Sequence, residues 1–212
     1  MPAVRLALIF CLGATLPAAE ITCLVTNSKG GDPLIEATLA LIPLDHPAPP
    51  VAPGTQVEIA QEGQEFYGYV TIVQSGTKVV FPNRDTVQHH VYSLSKPKKF
   101  ELPLYNPGSA ESLVFETTGL VTLGCNIHDW MIAHLMVVPT PWFAKSDNQG
   151  RVKVTAPAGR YRLELWHPRV SAATVEEVTL TEGSPVSRNF SLTLKPDRRI
   201  RRGGGGKTGG YR

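Results

Sequence analysis

The sequence contains no long hydrophobic run and few cysteines, and these absences limit the classes of protein it can belong to. The apolar stretch at residues 6–12 is too short to span a bilayer, which takes about 20 apolar residues, and no other run approaches that length. Three cysteines in 212 residues exclude a dense disulfide framework. A phosphate-binding loop and a nucleophile–base pair are also missing. We therefore expect neither a membrane span nor an enzyme.

The first 19 residues have the pattern of a signal peptide. Arg5 supplies one positive charge, residues 6–12 form a short apolar run, and the small residues Ala18 and Ala19 stand where a signal peptidase would cut. At 42% apolar composition the remaining chain can bury one good core or two small ones. We expect an exported, soluble protein of the periplasm.

The cysteines that remain after export, Cys23 and Cys125, allow two hypotheses. They form one disulfide, as paired cysteines in secreted proteins often do, or Cys125 binds a metal and Cys23 is a buried free thiol in a strand. We favour the second, because two further residues of metal-ligand type follow Cys125 at short spacing.

The basic charge is concentrated at the end of the chain. Residues 195–212 carry seven Lys or Arg and one Asp, a net of +6, so that the rest, within a total of +3, has −3. The tail is rich in Arg and Gly, and we expect it to be disordered. We interpret it as a solvated terminus, with contact to an acidic surface as the alternative, and expect no nucleic-acid partner.

The motif with the most specific chemistry is C-x2-H-x2-M, formed by Cys125, His128 and Met131. A second imidazole stands upstream, at His89 or its neighbour His90. Two imidazoles, one thiolate and a weak axial thioether are the ligands that bind copper for electron transfer. A thioether is a poor ligand for zinc, calcium or magnesium, so Met131 favours copper.

The rest of the chain is typical of strands. Runs of β-branched and apolar residues alternate with turn residues about every 8–12 positions, without a helical period, which predicts an all-β sandwich. Strand patterns occur at 21–42, 69–138 and 151–194, and a Pro-rich connector at 45–53 separates the first two sets.

Residues 65–140 resemble the cupredoxins, amicyanin-like blue copper proteins in particular. The resemblance rests on two segments, Asn83-Arg84-Asp85-Thr86-Val87-Gln88-His89-His90-Val91 and Cys125-Asn126-Ile127-His128-Asp129-Trp130-Met131. Together with the flanking residues they are also similar to a bacterial cupredoxin family labelled as methylamine-utilisation-related. The resemblance implies a Greek-key β-sandwich and one type 1 copper ion bound by His89, Cys125, His128 and Met131.

The sequence departs from this family at one position. His90 stands where cupredoxins commonly carry an Asn that braces the ligand loop, which leaves open whether His90 replaces His89 as the ligand. Neighbouring residues of a strand point to opposite faces, so only one of the two can face the site. We favour His89, because its spacing to Asn83 and Val91 matches the family.

The flanking segments resemble Ig-like modules related to carboxypeptidase regulatory domains, on the patterns at 21–42 and 146–165. We therefore predict a signal peptide at 1–19, N-terminal strands with the connector at 20–54, a cupredoxin domain at 55–140, an Ig-like β-sandwich at 141–194 completed by the N-terminal strands, and a basic tail at 195–212. The alternative is that the flanking strands extend the cupredoxin sheet.

Four protein ligands saturate a copper ion and leave no place for a substrate, so the prediction is a one-electron carrier without catalytic residues. The resemblance implies a protein redox partner, such as a c-type cytochrome or a dehydrogenase, docking near His128 with Ile127 and Trp130. One alternative is a copper-binding or storage protein that hands the ion on, and another is a metal-free scaffold or adhesion module. For His134 and His167 we expect structural roles, and we interpret His46, in the Pro-rich connector, as a solvated loop histidine.

Overall fold

A computed structural model describes residues 18–197, and in this part of the chain all regular structure is β. The all-β prediction is thereby confirmed. The strands, in chain order, are β1 Ala18–Asn27, β2 Thr38–Pro43, β3 Gln56–Glu58, β4 Gln61–Glu62, β5 Glu65–Phe66, β6 Val70–Gln74, β7 Thr77–Pro82, β8 Val91–Ser93, β9 Phe100–Glu101, β10 Ala110–Phe115, β11 Gly119–Cys125, β12 Ile132–Val138, β13 Phe143–Lys145, β14 Arg151–Pro157, β15 Gly159–Trp166, β16 Thr174–Leu180 and β17 Val186–Leu192.

Alternating burial explains why these segments are strands. In β14 the side chains of Val152, Val154 and Ala156 are buried, while those of Arg151 and Lys153 face solvent. A period of two matches a strand with one face on a core. Burial of each apolar face therefore fixes the register of its sheet.

The first and last strands of the chain build one pair of sheets. Their strand orders are β14-β1-β17 and β13-β2-β15-β16, with β1 antiparallel to β14 and parallel to β17. Ile21, Leu39 and Leu163 lie in the core between these sheets, together with the ring of Tyr161. Cys23 is buried in the same core.

The middle strands build a second pair of sheets around a core of their own. The orders are β10-β7-β3 and β6-β12-β11-β8-β9, and β4 with β5 forms a small hairpin beside them. Phe81, Phe115 and Leu123 lie in this core. Cys125 and Met131 belong to the same core, so the C-terminal ligand motif is anchored in packed apolar side chains.

Polar and aromatic contacts join the two sets of strands. Lys145 Nζ donates to the carbonyl of Val70 at 2.6 Å, and the rings of His134 and Trp166 are 5.7 Å apart between centroids. The domain boundaries at 54/55 and 140/141, and the Ig-like character of the flanking strands, stay predictions. Sequence patterns did not indicate β3, β13 or the β4–β5 hairpin, because each of these strands has only two or three residues.

The two ends of the chain fall largely outside the described residues. The signal-peptide prediction covers residues 1–19, and only Ala18 and Ala19 of it are described, paired in β1 with Pro157 and Ala156. The predicted tail is described only for 195–197. Among residues 18–197, no helix has the length and apolar character needed to cross a bilayer.

Candidate metal centre

The first predicted ligand, His89, lies between β7 and β8, and its backbone is fixed by two hydrogen bonds to Tyr105. Its N–H donates to the carbonyl of Tyr105 at 3.2 Å, and its own carbonyl accepts from the N–H of Tyr105 at 3.0 Å. The side chain of His89 is fully buried. The protein alone therefore holds the His89 ring in the interior, without a contribution from a metal.

The second ligand segment begins at the end of β11 and turns into β12. Cys125 pairs with Val91 of β8, so the sheet brings this segment beside the one that contains His89. The turn closes where the N–H of Met131 donates to the carbonyl of His128 at 2.9 Å. Gly124 precedes it, and a Cβ there would come within 2.9 Å of the tip of the Tyr92 ring, so any larger residue would require this ring to move.

Three donor atoms converge where the two segments meet. Cys125 Sγ lies 3.8 Å from His89 Nδ1 and 3.6 Å from His128 Nδ1. All three lie within 4.8 Å of one another. With metal–sulfur and metal–nitrogen bonds of about 2.3 and 2.0 Å, a trigonal site needs a sulfur–nitrogen spacing of about 3.7 Å. The group is therefore able to bind one metal ion with little movement.

Met131 lies on the inner side of the same turn. It is 3% exposed, belongs to the core that contains Cys125, and lines the same cavity of about 500 Å³ as Cys125. The structure thus brings His89, Cys125 and His128 together and places Met131 in the same core as Cys125, while the binding of metal by all four stays a prediction.

A carboxylate orients the ring of His89. Asp85 Oδ2 lies 2.6 Å from His89 Nε2. Since a carboxylate only accepts, Nε2 donates to Asp85, and Nδ1 is the ring nitrogen that faces Cys125. Burial alone would raise the pKa of Asp85, but the N–H of Gln64, the His89 ring and the N–H of Gly63 together hold that pKa below its ordinary value.

Sequence patterns did not identify Asp85 as part of the site, because residues 82–85 have the composition of a turn that ends a strand. Its only sequence signal is a carboxylate four positions before His89. An orienting partner of this kind is common for metal-binding histidines.

His90 lies apart from the converging atoms. Its Nε2 is 2.9 Å from Glu101 Oε1, and its Nδ1 is buried without a hydrogen-bond partner among residues 18–197. His89, and not His90, therefore stands beside Cys125, in line with the alternation of side chains along an extended segment.

The other cysteine and histidines lie elsewhere. Cys23 and Cys125 are both free and belong to different cores, so no disulfide joins them in this structure. Burial raises the pKa of the Cys23 thiol to about 12, which keeps it protonated. His134 contacts Tyr69, and His167 accepts from the N–H of Arg169 at 3.1 Å. The expectation that His46 is solvated is wrong, because its ring is half-buried against Trp142 and its Nε2 is buried.

The chain matches no family model and no curated protein. Among solved structures it is similar to a reduced amicyanin mutant, with 21% identity over 47% of this chain and 98% of that one and a TM-score of 0.38. It is also similar to a purple cupredoxin from Nitrosopumilus maritimus, with 24% identity over 40% of this chain and 99% of that one and a TM-score of 0.35.

A further match is a copper-containing nitrite reductase from Thermus scotoductus, with 24% identity over 45% of this chain and 25% of that one and a TM-score of 0.38. With identities below 25% and TM-scores below 0.5, these matches bear on neither the ligand set nor the activity. The structural neighbours of this chain include amicyanin and other cupredoxins, the family that its ligand motifs resemble.

Proposed function

We propose that this chain is a mononuclear type 1 copper protein that carries single electrons between protein partners in the periplasm. The observation that carries the proposal is the convergence of two imidazole nitrogens on one thiolate. Nδ1 of His89 and Nδ1 of His128 lie 3.8 and 3.6 Å from Cys125 Sγ. This donor set, with a thioether nearby, is the one that suits copper in electron transfer.

Each residue has a distinct part in this proposal. Cys125 would supply a thiolate, His89 and His128 the imidazoles, and Met131 a weak thioether to hold the copper ion. A copper ion held by these side chains would exchange one electron between its Cu(I) and Cu(II) states. His89 is held through Asp85, and Cys125 is 4% exposed at the edge of the second core. Four protein donors leave no position for a substrate, which favours a carrier over an enzyme.

Exposure indicates where a partner would dock. Cys125 and Met131 are buried and His89 is fully buried, whereas His128 is half-buried and the adjacent Ile127 is 50% exposed. His128 is therefore the ligand through which an electron leaves by the shortest route. A protein partner such as a c-type cytochrome or a dehydrogenase fits a small patch of this kind.

A second candidate function is the transfer of copper itself to another protein. It is favoured by the cavity of about 500 Å³ that reaches both sulfur-containing residues, Cys125 and Met131, and has the 77% exposed Leu94 in its lining. A chelating partner could approach the ion there. A metal-free scaffold is the remaining alternative, but it does not explain why His89, Cys125 and His128 converge.

The decisive test is copper titration of the purified chain, followed by absorption and EPR spectroscopy. A carrier binds one copper per chain, turns intensely blue and cycles reversibly between two redox states while retaining the ion. Ready loss of copper to a competing chelator during cycling would support the handing-on function. A colourless protein at full copper loading would refute the type 1 site. Export is tested by mass spectrometry of the protein from the periplasm, where a chain that starts at Glu20 is the expected result.

A further inference from the structure

The β4–β5 hairpin has an unusual turn close to the candidate metal centre. Gly63 and Gln64 both adopt the left-handed conformation, with φ of 66° and 57°. Two successive left-handed residues form the type I′ turn that joins short antiparallel strands. Glutamine is uncommon in this conformation, so the surroundings must hold the turn in place.

Two residues of the ligand segments hold this turn from opposite sides. Asp85 accepts from the N–H of Gly63 at 2.6 Å and from the N–H of Gln64 at 2.9 Å. The indole Nε1–H of Trp130 donates to the carbonyl of Gln64 at 2.9 Å. Asp85 is also the carboxylate that accepts from Nε2 of His89 at 2.6 Å.

Trp130 belongs to the other ligand segment, since it stands between His128 and Met131. Its ring centroid is 5.3 Å from that of His128. A continuous series of hydrogen bonds therefore runs from His89 through Asp85 and the backbone of Gln64 to Trp130. It joins the two ligand segments on a path separate from the β8–β11 pairing.

The base of the hairpin is fixed to the core, so the turn cannot move freely. The carbonyl of Gln61 accepts from the N–H of Arg84 at 2.9 Å, and its side-chain oxygen accepts from the Tyr105 hydroxyl. Phe66 is 5% exposed in the second core. Because its base is anchored, the turn can fix the position of one ligand segment relative to the other.

We propose that the Gly63-Gln64 turn is a positioning element of the metal centre, which holds His89 and the 125–131 loop in register through Asp85 and Trp130. The proposal rests on the proposed function for its chemical consequence, which is the tuning of copper affinity and reduction potential. The bracing itself is a property of the metal-free protein and can be tested there.

The first experiment measures hydrogen exchange in the metal-free protein by NMR. In the wild type, the N–H of Gln64 and the indole N–H of Trp130 are expected to be protected. The carboxylate of Asp85 accepts from Gly63, Gln64 and His89, and the amide of Asp85→Asn has only one oxygen to accept from them. The turn should therefore loosen. Exchange at the Trp130 indole should then rise at least tenfold, although Trp130 does not bond to Asp85. Unchanged indole exchange would overturn the proposal.

Asp147→Asn is the matched control, because Asp147 accepts two turn N–H groups, those of Gln149 and Arg151, in the other pair of sheets. It should leave exchange at Gln64 and Trp130 unchanged. Gln64→Gly keeps the backbone N–H and C=O and relieves the left-handed side chain, so it should also preserve protection of the indole. Loss of protection in Asp147→Asn would mean that general destabilisation, and not the turn, is responsible. Loss of protection in Gln64→Gly would overturn the claim that the backbone of the turn provides the brace.

The second experiment measures the reduction potential of copper-loaded Asp85→Asn, Trp130→Phe and the double variant. Asp85 also contacts His89 directly and Trp130 contacts His128, so each single variant shifts the potential by itself. The part of each shift that passes through the Gln64 backbone is lost only once, so the double variant should shift the potential by less than the sum of the two single shifts. Additive shifts would overturn the proposal. If the wild type binds no copper, the proposed function fails, while the exchange measurements on the metal-free protein still decide whether the turn joins the two segments.

Discussion

His128 Nδ1 lies 3.6 Å from Sγ of Cys125, three residues earlier in the chain. The turn that brings them together is closed by the Met131–His128 backbone hydrogen bond. This half of the site is therefore local in sequence. The other half, His89, arrives 3.8 Å from the same sulfur through strand pairing.

Replacing the central thiol should remove the colour of the copper-loaded protein. Cys125→Ala deletes the thiolate that gives a type 1 site its intense absorption, and the band should disappear from the visible spectrum. Cys23→Ala is the control, because Cys23 lies in the other core and its thiol stays protonated. A blue Cys125→Ala protein would contradict the assignment.

Met131→Leu tests whether the thioether of Met131 binds the metal. Leucine is close to methionine in volume, so the core should tolerate it. We expect the protein to stay coloured and its reduction potential to rise, because Cu(II) loses more stabilisation than Cu(I) when a donor is removed. Voltammetry against the wild type measures the shift. An unchanged potential and EPR spectrum would show that the Met131 sulfur does not bind the metal.

Gly124→Ala should destabilise the protein next to the site. The added Cβ would come within 2.9 Å of the Tyr92 ring, and overpacking of this kind costs about 1–3 kcal/mol. Urea denaturation measures the loss. Combining the change with Tyr92→Leu, which removes the ring, should restore part of the stability. If the double variant is less stable than Gly124→Ala, the steric explanation is wrong.

Tyr105→Phe should lower the free energy of unfolding by about 1–3 kcal/mol, because it leaves a buried acceptor without its donor. The Tyr105 hydroxyl bonds to the side chain of Gln61, which is fully buried, and to the carbonyl of Phe81 at 3.1 Å. Burial raises the pKa of this hydroxyl well above its ordinary range. Tyr161→Phe should cost less in the same denaturation assay, because the Tyr161 hydroxyl bonds at 2.8 Å to the carbonyl of Pro157, a half-buried residue.

Stability should depend on pH through the Asp45–Arg160 pair. Hydrogen bonds from the Arg160 side chain and backbone hold the pKa of Asp45 below its ordinary 3.8. A carboxyl with a lowered folded-state pKa stabilises the fold above its unfolded pKa, and this contribution is lost as the pH falls through the folded pKa. The stability difference between wild type and Asp45→Asn should thus be constant from neutral pH to about pH 4 and shrink below it. Both side chains are exposed, so added salt should also reduce it.

Much of the architecture follows from local patterns. The alternation in segments such as 151–157 predicts strands because one face must pack on a core, and β14 forms there. The β4–β5 hairpin escaped prediction because two-residue strands have no period to detect. Its importance lies in contacts with Asp85 and Trp130, which are distant in sequence.

The amino-acid sequence by itself determined the chemistry of the candidate site, because C-x2-H-x2-M places a thiolate, an imidazole and a thioether on one short turn. Tertiary structure decided which upstream histidine joins them. His89 and His90 are chemically identical, and only the pairing of the surrounding backbone turns His89 towards Cys125 and His90 towards Glu101. Tertiary structure also decided that Cys23 is a free thiol, since Cys23 and Cys125 pack into separate apolar cores.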